Sequence, residues 1–297
     1  MTQDLHQYLS EGRLLVADGA TGTQLQAMGL PVGTAPELWN VERPDAILAH
    51  HRAYLDAGSG LILTNTFGGS RLKLDRSGDL VGARTVELNR AAAAVAKEAA
   101  AGKAYVAGDM GPTGELLAPY GLLSYEDAVE TFAEQALALV EGGVDLLWIE
   151  TMSDLNEAKA AVEGVQSVTD LPLFCSFSFG GSGRTMMGVS PAQAAEMLWP
   201  MGLAAIGANC GEGIEPVASA LSEIRAAVPE AVLIAKPNAG IPRMENGETV
   251  FDLGPAEMAA EFPRLVSLGA QVMGACCGSS PAHLASIAAT VRDLEAA

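Results

Sequence analysis

The sequence predicts one (β/α)8 barrel spanning residues 1–297, and three observations predict it. Eight short apolar runs recur along the chain, amphipathic helical patterns alternate with them, and no dinucleotide fingerprint follows the first run. Short continuous apolar runs bounded by Gly, Pro or polar residues fit strands buried on both faces, as in a parallel sheet. Eight such strands alternating with eight helices close most simply into a barrel with its active site at the C-terminal ends of the strands. A doubly wound open sheet is the alternative. Against it, the segment ADGATGTQL after the first run lacks the G-x-G-x-x-G spacing.

The runs occupy residues 13–17, 61–64, 104–108, 144–149, 172–177, 203–208, 231–235 and 271–275. Between them, 44–57 carries Ile47, Leu48, His51, Tyr54 and Leu55 at helical spacing. Residues 85–101 are Ala-rich, and 124–141 begins with Ser124 as an N-cap. The remaining helices are expected at 154–168, 191–199, 215–227, 255–268 and 281–296. Pro191, Pro255 and Pro281 fall in first turns, where a missing N–H costs nothing. No linker or low-complexity segment divides the chain.

Hydrophobic residues make up 49% and charged residues 18%, which supports a packed core and argues against disorder. A formal charge of −19 without a Lys/Arg cluster excludes nucleic acid and anionic membrane as partners. No apolar run is long enough to cross a bilayer. The opening MTQDLHQYLSEGR lacks the apolar stretch of a signal peptide, so a cytoplasmic location is expected. In that reducing compartment Cys175, Cys210, Cys276 and Cys277 should be thiols. Neighbouring cysteines such as Cys276 and Cys277 do not bridge each other without strain.

Chemistry in a parallel barrel gathers where strands end. The runs are followed in turn by Asp18-Gly19-Ala20, Thr64-Asn65-Thr66-Phe67-Gly68, Asp109-Met110-Gly111, Glu150-Thr151, Ser176 to Phe179, Asn209-Cys210-Gly211, Lys236-Pro237-Asn238 and Cys276-Cys277-Gly278. Three cysteines thus stand on the sixth and eighth ends, close enough around a barrel to share an ion. Three thiolates form a soft donor set that favours zinc, and three protein ligands leave a fourth position open, as in a catalytic site. Cys175 lies inside its strand and reads as core. His6, His50, His51 and His283 fall away from the rim. Three cysteinates make the metal a weak Lewis acid and keep a bound substrate sulfur electron-rich, which suits alkyl transfer to a thiol better than hydrolysis.

The other rim residues suit an amino-acid substrate. Asp18 and Glu150 are expected to hold its ammonium group. Backbone N–H groups near Gly19 and Ala20, with the Thr64 hydroxyl, are placed for its carboxylate. Structural roles compete: a loop or capping role for Asp18, an ion pair with Lys236 for Glu150, and either role for Asp109. Two other functions remain at this stage. Lys236 at the seventh strand end would also suit a Schiff-base aldolase. A non-catalytic zinc-binding subunit of a corrinoid methyltransferase complex is the third.

The segments ADGATGTQL, TNTFGGSRLKL, GDMGPTGELL, IETMSDLNEA, GANCGEG, KPNAG and GACCGSSP, in this order, resemble the homocysteine S-methyltransferase family. That family includes the homocysteine domain of cobalamin-dependent methionine synthase and the betaine–homocysteine methyltransferases. The resemblance implies a zinc-dependent barrel with Cys210, Cys276 and Cys277 as ligands. It implies Asp18 and Glu150 at the homocysteine amine, and Gly19, Ala20 and Thr64 at its carboxylate. Asn238 matches a residue that occupies the zinc's open position before substrate binds. Two methyl donors are compatible with it: methylcobalamin presented by a partner carrier protein, and betaine or a related onium. Animal-type betaine enzymes place a tyrosine, in TFTFY, where this chain has Gly68, leaving Trp39 and Phe67 as cage aromatics.

Overall fold

Side chains alternate between the two faces of a strand, so an apolar run buried on both faces feeds two separate cores. The computed structural model, which describes residues 3–78, 81–245 and 248–296, shows both. The barrel strands are β1 (Leu15–Val16), β2 (Leu61–Leu63), β3 (Tyr105–Met110), β4 (Leu146–Met152), β5 (Leu173–Phe177), β6 (Ala205–Cys210), β7 (Leu233–Pro237) and β8 (Ala270–Met273). Leu15, Leu61, Leu63, Tyr105, Ala107, Leu146, Trp148, Phe174, Ala205, Ile234 and Val272 fill the barrel interior. The alternate residues, among them Ile62, Val106, Leu147, Ile149, Cys175 and Ile206, join the helices in the outer core. Cys175 is fully buried there, so it packs as the strand position requires.

All neighbouring barrel strands that form ladders are parallel, in the order β1-β8-β7-β6-β5-β4-β3-β2. The last joint, between β1 and β2, is made differently. The Gly60 N–H donates to the Val16 carbonyl at 2.8 Å, and the Leu63 N–H donates to the Asp18 carboxylate, also at 2.8 Å. At the opposite end, Leu5 and Leu9 of the helix Leu5–Ser10 plug the barrel floor.

The helices Pro44–Asp56, Thr85–Ala100, Tyr125–Glu141, Leu155–Gln166, Pro191–Leu198, Ile214–Ala227 and Pro281–Ala296 follow the expected spans. Ser124 caps its helix by accepting from the Asp127 N–H. Three departures from the expected spans are seen. The expected helix at 255–268 divides into Pro255–Ala259 and Phe262–Ser267, because Pro263 has no N–H to continue the first one. A short hairpin, Arg243–Glu245 against Glu248–Val250, stands between β7 and those helices. The strands β3, β4, β6 and β7 also run past the apolar runs, so Asp109, Glu150, Cys210 and Lys236 lie inside strands and not in the loops after them.

Candidate active site

Period-two alternation carries the interior upward from its apolar layers into a polar one. Two residues above Ala107 comes Asp109; above Trp148, Glu150; above Phe174, Ser176; above Ile234, Lys236. Asp109, Glu150 and Lys236, with Asp18 from the end of β1, line a cavity of about 580 Å³ at the C-terminal end of the barrel. Cys210, Cys276 and Cys277 line the same cavity.

The three sulfurs lie within 4.8 Å of one another. Sulfurs around a tetrahedral zinc stand roughly 3.8 Å apart, inside that limit. The backbone is bent to bring them together. Cys210 takes a left-handed φ of 60°, unusual for a residue with a Cβ, and Gly211 follows at 72°. The Cys276 N–H donates to the Pro237 carbonyl at 2.8 Å, and Ala239 N–H to the Cys277 carbonyl at 3.0 Å, which ties the two-cysteine turn to the end of β7. Thiol donors from Cys276 and Cys277 pull the Cys210 pKa far below the ordinary range. The same contacts push Cys276 and Cys277 up. Three thiolates this close cannot coexist without a cation, so the donor set fits a soft divalent ion. Asn238 is 2% exposed and donates from Nδ2 to the Gly211 carbonyl at 2.6 Å, while its buried Oδ1 has no partner. That orphaned acceptor beside the cysteine turns fits a cation as well.

Next to the sulfurs sits a charge cluster. Lys236 Nζ lies 3.4 Å from Asp18 Oδ1 and 3.7 Å from Glu150 Oε2, with the Trp148 ring 5.1 Å away. Burial disfavours its charge, but Glu150 and Asp18 outweigh burial and hold its pKa above that of ordinary lysine. It is therefore a structural ammonium and not the neutral amine an imine-forming lysine needs. Burial raises the Glu150 pKa to about 7 and lifts Asp109 well above the usual range, Glu150 adding its repulsion to Asp109. Asn209 supports this corner. Its Oδ1 accepts from the Thr151 N–H (2.9 Å) and the Ser176 hydroxyl (2.8 Å), and its Nδ2 donates to Thr151 Oγ1 (2.6 Å). Thr151 takes a left-handed φ of 61°, so Asn209 holds a strained turn directly after Glu150.

A match over residues 15–291 to the family model described as homocysteine S-methyltransferase decides the grouping. The chain belongs to the homocysteine S-methyltransferase family. Methionine synthase of Mycobacterium tuberculosis is 32% identical over 98% of this chain, and that of Mycobacterium leprae is 32% identical over 97%. The chain spans about a quarter of the length of these curated relatives. Among solved structures, the homocysteine methyltransferase MmuM of Escherichia coli, in its metallated form, superposes with a TM-score of 0.79 at 25% identity. The match covers 97% of this chain and 99% of that one. A dihydrodipicolinate synthase from Bacillus clausii matches at 11% identity and TM-score 0.51, which reflects the barrel alone.

The site residues expected of this family member are brought together, with differences in how free each one is. Asp18, Gly19, Ala20, Thr64 and Glu150 all line the cavity. The Ala20 N–H, however, donates to Ser279 Oγ at 3.0 Å. The Thr66 hydroxyl donates to the Asp109 carbonyl at 2.7 Å, so the 2.6 Å contact between Thr64 and Thr66 uses the Thr64 proton. The aromatic pair at the mouth is not a pair. Trp39 is 5% exposed and packs among Leu25, Leu30 and Ile47 beneath the Arg43 guanidinium, while Phe67 alone reaches the cavity. Glu37 went unnoticed in the sequence; it lines the mouth, buried, and accepts from the Gly68 N–H at 2.7 Å. The histidines line no part of the cavity. Among the described residues, no helix is long and apolar enough to cross a membrane.

Proposed function

We propose that this chain is a zinc-dependent homocysteine S-methyltransferase that forms methionine. The observation that carries the reading is the three-sulfur cluster opening into the same cavity as the Asp18–Lys236–Glu150 charge cluster. Cys210, Cys276 and Cys277 would hold the ion, and Asn238, whose buried Oδ1 has no partner, would serve as the resting ligand. Zinc bound there supplies the Lewis acidity that keeps a substrate thiol ionised at neutral pH. The chain's own groups do the rest. Glu150, fixed by Lys236 and by the Asn209-held turn, receives the amino group and sets the direction of the thiol. The Gly19 region faces the substrate carboxylate. No protein side chain has to remove the thiol proton, which agrees with the absence of histidine from the cavity lining.

The proposed donor is methylcobalamin presented by a partner carrier protein. Two observations support it: a single aromatic at the mouth offers no cage for a quaternary ammonium, and the similar methionine synthases extend far beyond the matched quarter. The second donor compatible with the sequence is betaine or a related onium, for which Phe67 is the one aromatic that lines the cavity. The deciding assay offers homocysteine with methylcobalamin or betaine to the zinc-loaded protein and measures methionine. Methionine from methylcobalamin alone supports the carrier reading, and methionine from betaine replaces it with the second. No methionine from either, with zinc bound, sinks the assignment, and a reducible adduct on Lys236 would move it to imine chemistry.

A further inference from the structure

Phe67 stands at the mouth of the cavity and is 39% exposed, yet the backbone around it is tightly fastened. The Gly68 N–H donates to Glu37 at 2.7 Å, the Gly111 N–H to the Phe67 carbonyl at 3.0 Å, and the Gly69 N–H to the Thr66 carbonyl at 2.9 Å. Two further holds come from the helix layer outside the barrel. Gln135, on the helix Tyr125–Glu141, donates from Nε2 to the Thr66 carbonyl at 2.9 Å and to Asn89 Oδ1 at 3.2 Å, with the Asp109 carbonyl at 3.4 Å. Asn89, on the helix Thr85–Ala100, donates from Nδ2 to the Gly69 and Thr85 carbonyls, both at 2.8 Å. The pair thus grips the carbonyls on either side of Phe67 and Gly68. Turning either amide over would aim its oxygen at two carbonyls, so each is fixed in the orientation that donates. Both residues are fully buried, and Gln135 Oε1 is left there without a partner. An unpaired buried acceptor costs stability, which an apolar side chain would avoid. What Nε2 holds explains why an amide stands there. Gly69 fits the same reading: a Cβ at that position would lie 2.6 Å from Asn89 Oδ1 and 2.9 Å from Gln135 Nε2, so glycine lets the amides come this close.

We propose that Gln135 and Asn89 are positioning residues for methyl transfer: from the helix layer they set the place of Phe67 and Gly68, and through them the approach of the methyl donor. The proposal rests on the methyltransferase reading above. With the thiol bound between the sulfur and charge clusters, the donor approaches from the mouth side, which Phe67 and Gly68 line. Thr64, buried further down the same segment, is held separately. Its N–H donates to the Ala107 carbonyl at 2.9 Å, and its hydroxyl accepts from the Asp109 N–H at 3.0 Å. Loss of the amides therefore disturbs the donor's side of the cavity and spares the thiol's.

The test measures donor kinetics, homocysteine affinity and amide exchange in zinc-loaded wild type, Gln135→Met, Gly69→Ala and Phe132→Leu. Phe132 is buried on the same helix as Gln135 and offers the loop no hydrogen bond, so its variant reports general loosening. With methylcobalamin or betaine, whichever yields methionine, Gln135→Met and Gly69→Ala should lower kcat/KM for the donor about tenfold or more. Homocysteine binding by calorimetry should shift less than about twofold, and Phe132→Leu should leave both quantities within about twofold, because these sites are independent of the loop. Unchanged donor kinetics in both loop variants, an equal loss in Phe132→Leu, or an equal weakening of homocysteine overturns the proposal. Amide exchange needs no substrate. The Gly69 and Gly111 N–H groups should exchange about tenfold faster in Gln135→Met than in wild type, and unchanged rates overturn the positioning role. Should Gln135→Met misfold, Gly69→Ala carries the exchange test as well. Wild type that forms no methionine with either donor sinks the functional reading alone, and exchange then still decides whether the amides hold the loop.

Discussion

Replacing Lys236 with Met tests the electrostatic logic of the barrel's upper layer. The substitution keeps a long side chain over the Trp148 ring but removes the charge between Asp18 at 3.4 Å and Glu150 at 3.7 Å. At an effective dielectric constant near 20, each such contact carries roughly 5 kcal/mol of gross attraction. Desolvation of the ammonium offsets most of that, so the measured loss should match other broken buried pairs, about 3–5 kcal/mol. With an unfolding entropy of about 2.1 cal/mol/K per residue, that corresponds to a melting point lowered by about 5–8 °C. Urea unfolding of wild type, Lys236→Met, Glu150→Gln and the double variant at pH 7.5 completes a thermodynamic cycle. The double variant should be more stable than the two single losses added together, by about 1–3 kcal/mol, because the lysine charge and the glutamate charge matter mainly to each other. A Lys236→Met protein within about 1 kcal/mol of wild type, or strictly additive losses, would refute the view of Lys236 as a structural ammonium.

Further predictions concern the metal, the histidines and one glycine. Cys276→Ala should abolish zinc retention in a colourimetric chelator assay, whereas Cys175→Ala, in the outer core, should keep one zinc per chain; equal retention by both would disconnect the cluster from the metal. Burial lowers the His50 pKa to about 4 and lowers that of His51 as well. Below pH 6.5 the unfolded chain therefore binds protons that the folded chain refuses, and the contribution of His50 to stability falls as pH drops toward 4, by about 3 kcal/mol in full. Urea midpoints between pH 7.5 and 4.5 should accordingly fall less steeply in His50→Gln than in wild type, and parallel slopes would contradict this. Gly278 holds a φ of +79°, and a Cβ there would lie 2.2 Å from the Phe251 ring. Gly278→Ala should cost about 2 kcal/mol or more by urea unfolding, and an unchanged midpoint would show that Phe251 yields freely.

Much of this was legible in the chain because alternation is a local property. Runs such as 61–64 and 172–177 carry their burial on both faces, and the cysteines announce themselves by sharing a rim. What was not legible follows from chemistry that spans elements. The strand ends at Asp109, Glu150 and Lys236 were read as loop because polarity usually marks a strand's exit, whereas here the interior itself turns polar at the top. Trp39 is expected from the resemblance to serve as a cage aromatic, yet its neighbours Leu25, Leu30 and Ile47 come from other segments and draw it inward. The occupied state of Asp18 also escaped sequence, because its partners Leu63 and Lys236 are 45 and 218 residues away.

The joint between β1 and β2 has a mechanical consequence. Among the described strands, neighbours elsewhere in the wall are laced by backbone ladders, while this joint hangs on the Val16 and Ala17 carbonyls and one side-chain carboxylate. It behaves as a clasp, and the clasp sits at the cavity. Local opening of the barrel should begin here, where the fewest bonds must break. Because the Asp18 carboxylate that fastens it also faces Lys236, any ligand that settles the charge in the cavity tightens the cylinder itself. Slowed amide exchange at Leu63 on homocysteine binding would register that tightening.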